Sequence, residues 1–187
     1  MNNIMLKKII SKKNIIMALV CCLIFWMLLN SVPNKMSYTV EEGDDSYIVS
    51  VFNPHGEKIY EEQYRVEPVI SKVGKDTVMI TVGKGDWHQS KFINGKTGRI
   101  SEWFDDVKEC SEQLVVNCVY KDNRFKIIIR DIYDKDKTYK EITDSFSEAA
   151  VGKYLVKDIE IINDHLVYLR YYIGDDWEEK GRLIFLN

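Results

Sequence analysis

The strongest constraint on this chain is an unbroken apolar run near its start. Residues 15–29 read Ile-Ile-Met-Ala-Leu-Val-Cys-Cys-Leu-Ile-Phe-Trp-Met-Leu-Leu, and Asn30, Ser31 and Val32 extend the stretch to 18 residues. As a helix this segment is roughly 27 Å long at about 1.5 Å per residue, close to a hydrocarbon core of about 30 Å. It is apolar on every face, which a surface helix with a single buried stripe is not. Lys7, Lys8, Lys12 and Lys13 precede it without any acidic residue, and within ten residues beyond it only Lys35 is basic. That asymmetry predicts a cytoplasmic N-terminus and an outward-facing remainder. A cleaved signal peptide needs small residues at its cleavage site, whereas Leu28-Leu29-Asn30-Ser31 is mostly bulky. Ala18-Leu19-Val20-Cys21 loosely follows a lipid-attachment pattern, but Val20 stands where a small residue is required. The expectation is a single-pass plasma-membrane protein held by an uncleaved signal anchor. It divides into a basic cytoplasmic segment (1–14), a transmembrane helix (15–32), a tether (33–45) and an extracytoplasmic domain (46–187).

Charge separates the same parts. Four of the 26 basic residues lie before Asn34, so the remainder sets 22 basic against 29 acidic residues, a formal −7 hidden by the whole-chain value of −3. A mildly acidic domain lacks the clustered positive field that binds phosphate backbones, which argues against nucleic acid. The tether carries Glu41, Glu42, Gly43, Asp44 and Asp45 and has no apolar periodicity.

From residue 46 onward the pattern is short runs of β-branched and aromatic residues separated by turn residues. Strands are expected at 47–52, 59–64, 69–73, 77–82, 89–93, 99–104, 107–110, 114–121, 124–133, 139–142, 159–162, 166–173 and 182–186. Residues 144–150 read as a brief helix capped by Asp144 or Ser145. About 13 strands at this spacing imply an antiparallel all-β domain.

The strands repeat. Val51-Phe-Asn-Pro-His-Gly-Glu-Lys-Ile59 recurs as Phe92-Ile-Asn-Gly-Lys-Thr-Gly-Arg-Ile100 and, more faintly, from Ile132 to Tyr139, with 40 residues from Phe52 to Phe92 and 40 again to Ile132. Leu183-Ile-Phe-Leu-Asn187 echoes the opening of the unit. Repeats of about forty residues resemble the four-stranded blades of a β-propeller. The Asn94-Gly-Lys-Thr-Gly98 turn is similar to those of quinoprotein-type propellers. The resemblance spans residues 47–187 and implies a propeller-like arc of roughly three blades plus two leading strands. Closed propellers have at least about four blades, so the arc is expected to be open, closed by a second chain, or replaced by a sandwich with recurring hairpins.

No residue set spells a reaction or a cofactor. His55, His88 and His165 fall in separate repeats without metal-ligand spacing. The acids after Asp134 place Tyr139 where a calcium loop needs glycine. The carboxylate pairs Asp105-Asp106 and Asp175-Asp176 are adjacent in sequence, not spaced across a cleft as hydrolysis requires. Cys110 and Cys118 could form a disulfide outside the cytoplasm, but the turn at 111–113 pairs Cys110 with residue 114 or 115, so two free thiols are an equal expectation. The feature most suggestive of binding is a set of aromatic loops. Trp87, Trp177 and Phe125 recur just before the third strand of successive copies, and Trp103 ends a strand. With Asp86, His88, Asp175 and Asp176 the tryptophans would form a row suited to a sugar or a peptide, unless they pack between sheets. The expected function is a membrane-tethered extracytoplasmic binding domain without catalysis or cofactor, its ligand a partner protein or a cell-wall glycan. The alternatives are a structural protein that completes its sheet by homodimerising, and a hydrolase using one of the carboxylate pairs.

Overall fold

The computed structural model describes residues 35–84, 87–121, 124–144, 146 and 155–186, together with Met17 and Val20. It divides into two units, Met1–Asn34 and Lys35–Asn187. The expected transmembrane helix therefore lies outside the described residues except for Met17 and Val20. Among the described residues no helix is long and apolar enough to cross a membrane.

Among its described residues the second unit is all β: 14 antiparallel strands in four sheets. The first sheet orders β1 (Ser37–Glu42), β2 (Tyr47–Phe52) and β3 (Lys58–Tyr64). The second orders β4 (Val69–Val73), β5 (Thr77–Lys84), β6 (Trp87–Asn94) and β7 (Phe104–Asp105). The third contains β8 (Val107–Cys110), β9 (Leu114–Lys121), β10 (Arg124–Asp131) and β11 (Thr138–Ile142). The fourth contains β12 (Val156–Asn163), β13 (Leu166–Ile173) and β14 (Glu178–Phe185). Every sheet is a meander of consecutive strands, so all strand pairing is local in sequence. The stretch expected to be a tether supplies β1, whose Tyr38 and Val40 pair with Val51 and Val49. Its entry is fixed by Met36, which is buried against Gly95, a position with no room for a Cβ. Of the expected brief helix, Asp144 lies outside regular structure and Phe146 forms a bridge to Gly174; the rest of it, 145 and 147–150, lies outside the described residues.

The repeat has a local physical cause. The turn after the third strand of each four-stranded unit is held by an Asn or Asp side chain that accepts backbone N–H bonds ahead of it, a turn within the turn. Asn53 Oδ1 accepts from His55 (2.9 Å) and Glu57 (3.0 Å). Asn94 Oδ1 accepts from Lys96 (3.1 Å) and Thr97 (2.8 Å). Asp131 Oδ1 accepts from Tyr133 (2.8 Å) and Asp134 (2.9 Å). The third copy is thus anchored at Asp131, three residues before the Asp134 that the sequence alignment selects. By this alignment the first sheet lacks the first strand of the unit and the fourth lacks the last.

Packing follows chain order. Val49, Val51 and Tyr64 of the first sheet meet Val78, Ile80 and Ile93 of the second. On the opposite face of the second sheet, Val73, Phe92 and Phe104 meet Val115 and Ile132. On the far face of the third sheet, Leu114, Val116, Cys118, Ile127 and Ile129 meet Val167, Leu169, Tyr171 and Ile184 of the fourth. The third sheet is therefore covered on both faces, which is why residues 114–118 are buried without alternation. One continuous strand joins the second and third sheets. Only Asp106, at φ 41°, separates β7 from β8. Its N–H donates to the His88 carbonyl at 3.0 Å and its carbonyl accepts from Cys118 N–H at 3.1 Å. A strand that bends from one sheet into the next makes a corner of the kind seen in sandwiches.

Candidate functional site

The face of the fourth sheet that points away from the third carries the most exposed large apolar side chains of its strands. The cause is period-two alternation. On β13, Val167, Leu169 and Tyr171 point inward, so Leu166, Tyr168, Arg170 and Tyr172 point outward. On β14, Ile184 pairs with Val167 and is buried, leaving Leu183 and Phe185 on the outer face. Leu183 is 57% exposed and Phe185 73%. Ile162, at a bulge in the β12–β13 pairing, is also exposed.

The other end of the same face is aromatic and charged. Trp177 sits in the β13–β14 turn at φ 56°, after Gly174 at φ 64°. Its ring meets Tyr172 edge-on at 5.8 Å, and Lys157 Nζ stands 6.0 Å from the Tyr172 centroid. Lys157 pairs with Glu179. Arg170 bonds Asp158 at 2.7 Å and reaches Glu179 at 3.6 Å. Hydrogen bonding to Lys157 holds the Glu179 carboxyl below the usual range, and Asp158 holds the Arg170 guanidinium charged. The result is a ladder of alternating charge beside two aromatic rings. Asp175 and Asp176 are exposed in the turn that presents Trp177.

Trp103 and His88, also singled out from sequence, are not brought to this face. Trp103 packs against the core of the first two sheets, edge-on to Tyr64 at 6.2 Å and with Lys91 Nζ 4.4 Å above its ring. Lys91 also donates to Glu62 at 3.0 Å, and the Tyr60 and Tyr64 hydroxyls donate to the same carboxylate. Burial pushes the Glu62 carboxyl up, but the bonds from Tyr60, Lys91 and Tyr64 outweigh it and its pKa is lowered. Sequence reading missed this cluster because its members come from β3, β6 and the segment before β7. His88 is at the corner between the second and third sheets, 3.5 Å from Asp106, which Lys108 approaches to 2.8 Å. Trp87 opens β6, pairing with Lys84, a position equivalent to the turn that holds Trp177. Its side chain and Asp86 lie outside the described residues. Phe125 stacks on Tyr120 at 4.9 Å across the equivalent β9–β10 hairpin. Trp87, Phe125 and Trp177 thus stand at the start of β6, β10 and β14, the third strand of each unit.

Cys110 and Cys118 are free thiols. Cys110 pairs with Val115 and packs toward the second sheet, while Cys118 packs toward the fourth. They occupy opposite faces of the third sheet, so no bridge can join them without refolding it. Burial pushes the Cys110 thiol up to about 11 and the Cys118 thiol up to about 12, the reverse of what a reactive cysteine needs. Among the described residues no three His, Cys, Asp or Glu side chains converge to hold a metal ion.

Asp144 closes the inner edge of the fourth sheet. Its carboxylate accepts from Tyr171 Oη at 2.6 Å, Arg182 at 3.0 Å and Lys180 at 3.1 Å. Burial opposes ionisation there, yet these donors hold the pKa below its ordinary 3.8. This cluster ties the segment after β11 to the sheet and is structural. Comparison with protein families, with curated proteins and with solved structures finds no match to this chain.

Proposed function

We propose that this protein is a non-catalytic binding domain, tethered to the outer face of a plasma membrane by its N-terminal apolar segment, with the outer face of β12–β14 as its docking surface. The supporting observation is that exposed Leu183 and Phe185 share one regular sheet face with the Trp177–Tyr172 pair at its other end. Large exposed apolar groups gathered on one side are characteristic of interaction surfaces. A partner protein fits better than a wall glycan. Sugars select stacked aromatic platforms with polar neighbours, whereas aliphatic Leu183 and Ile162 gain only from apolar contact. We also propose that the four sheets form a propeller-like arc, a reading supported by the recurrence of the Asn53, Asn94 and Asp131 turns, with a sandwich-like joint between the middle sheets at the Asp106 corner.

The test uses the full chain, in cells of its own kind. The double change Leu183→Ser/Phe185→Ser should leave the far-ultraviolet circular dichroism and thermal midpoint unchanged and abolish recovery of a partner that the parent chain retains after crosslinking. Equal recovery by parent and variant refutes the docking surface. Retention on purified wall glycan that is lost with Trp177→Ala would transfer the assignment to a sugar.

A further inference from the structure

Among the described residues the two terminal sheets are each one strand short of the middle ones, and their open edges match. On the fourth sheet, β14 pairs with no described strand but β13. A cleft of about 310 Å3, lined by Lys140 and Ile142 of β11 and by residues 182–185 of β14, lies beside it. That is where a fourth strand would run. On the first sheet, β1 pairs with no described strand but β2 and is exposed along its whole length. Neither edge has a protecting proline, and β1 has no lysine. The cleft carries Lys140 and Arg182, with Lys180 two residues away on β14, both β14 cations also reaching Asp144, while β1 ends in Glu41 and Glu42.

We propose that β1 of a second copy of this chain adds antiparallel to β14, joining the first sheet of one molecule to the fourth sheet of another. One register satisfies both strands, with Ser37 opposite Phe185, Tyr38 opposite Ile184, Val40 opposite Arg182 and Glu42 opposite Lys180. In that register the faces agree. Tyr38 and Val40 lie on the side of β1 that bears its partners Val51 and Val49 of the first core. Ile184, Arg182 and Lys180 lie on the side of β14 that bears Val167, Leu169 and Tyr171 of the third core. Tyr38 then enters the apolar floor formed by Ile142 and Ile184, and Glu42 meets Lys180, whose side chain is 38% exposed while paired to Asp144. A shift by one residue would turn Tyr38 and Val40 outward. The alternative of β14 against β14 centred on Gly181 sets Lys180 of one copy against Arg182 of the other, a like-charge cross-strand contact that is unfavourable. The joint is head to tail, so it extends into a ring or a filament and does not stop at a two-fold dimer. It shares Leu183 and Phe185 with the outer face assigned above, since both also line the cleft, but its test changes only Glu42, Lys180 and Tyr38 and so leaves that face intact.

The experiment measures the mass of the full chain in detergent micelles by light scattering across a wide concentration range, subtracting the detergent. Mass growing with concentration beyond one chain is expected. Glu42→Lys, on an exposed strand, sets lysine against Lys180 and should weaken association at least about tenfold. Lys180→Glu should do the same, and mixing the two variants should restore association. If Lys180→Glu disturbs folding through the loss of its Asp144 pair, Tyr38→Lys replaces it as a second variant that must weaken association. A single-chain mass at every concentration overturns the proposal. So does association that Glu42→Lys leaves unchanged, which would assign self-association to another part of the chain.

Discussion

The third and fourth sheets are built from the same strand unit, yet they live under opposite conditions. The third is pressed between two neighbours, and β9 buries five consecutive residues, 114–118. The fourth is covered on one side only, so β13 and β14 alternate, with Ile184 buried between exposed Leu183 and Phe185. The same hydrophobic character therefore means core in one sheet and surface in the other. Position in the stack, rather than composition, assigns stability to the inner sheet and leaves surface free for recognition on the terminal one.

The comparison breaks most visibly at Leu114, which is fully buried between the third and fourth sheets. Leu114→Ala should lower unfolding free energy by about 3 kcal/mol in urea titration, the cost of lost contacts plus a cavity. A loss no larger than that of a surface leucine would show that the sheets are not packed face to face. Next come the two cysteines, which sample the two faces of the third sheet. Cys118→Ser buries a hydroxyl in an apolar layer and should cost about 2 kcal/mol, more than Cys110→Ser at its half-buried site. In the parent chain, alkylation near neutral pH should be slow at both thiols and slower at Cys118, reaching full rate only on unfolding.

Asp144→Asn should cost about 1 kcal/mol, since its partly exposed charge network is screened by water. The pH dependence has a definite sign. The folded carboxyl is more acidic than its ordinary 3.8, so the unfolded chain binds the extra proton. Its contribution is fully present above about pH 5 and is lost as pH falls through the folded value. The asparagine variant should lose that part of the acid-side decline, measurable as a flatter stability profile below pH 4. The smallest effect belongs to the outer face. Leu183→Ser should change stability by no more than about 0.5 kcal/mol, and a larger loss would mean that this face is covered in the folded chain.

Much of the fold was legible because strand pairing is local. The strand limits 69–73, 107–110, 114–121 and 166–173 read from alternation and turn residues coincide with β4, β8, β9 and β13. The recurring Asn53 and Asn94 turns were visible because an Asn or Asp side chain holds its own following backbone. β1 was missed because Tyr38 and Val40 interrupt a polar stretch too briefly to show a period; its ladder with β2 and Met36 under the Gly95 turn fix the strand. Trp103 and Trp177 could not be told apart from sequence, since each sits beside a turn with acidic neighbours. The Lys91 ammonium and the Tyr64 ring make one a packing residue, and the open side of the fourth sheet makes the other a surface residue.

The sequence by itself determined the N-terminal apolar run, the all-β character of the remainder, the turn-bearing repeat and the acidic charge of the domain. These are properties of residues a few positions apart, where side-chain period and turn chemistry act directly. Tertiary structure alone decided which sheet faces are covered, that Cys110 and Cys118 stand back to back, that the β7–β8 strand turns a corner at Asp106, and that, among the described residues, both terminal sheets end in strands paired on one side. Each of these depends on which sheet lies against which, a choice made by the summed burial of many side chains that no local stretch encodes.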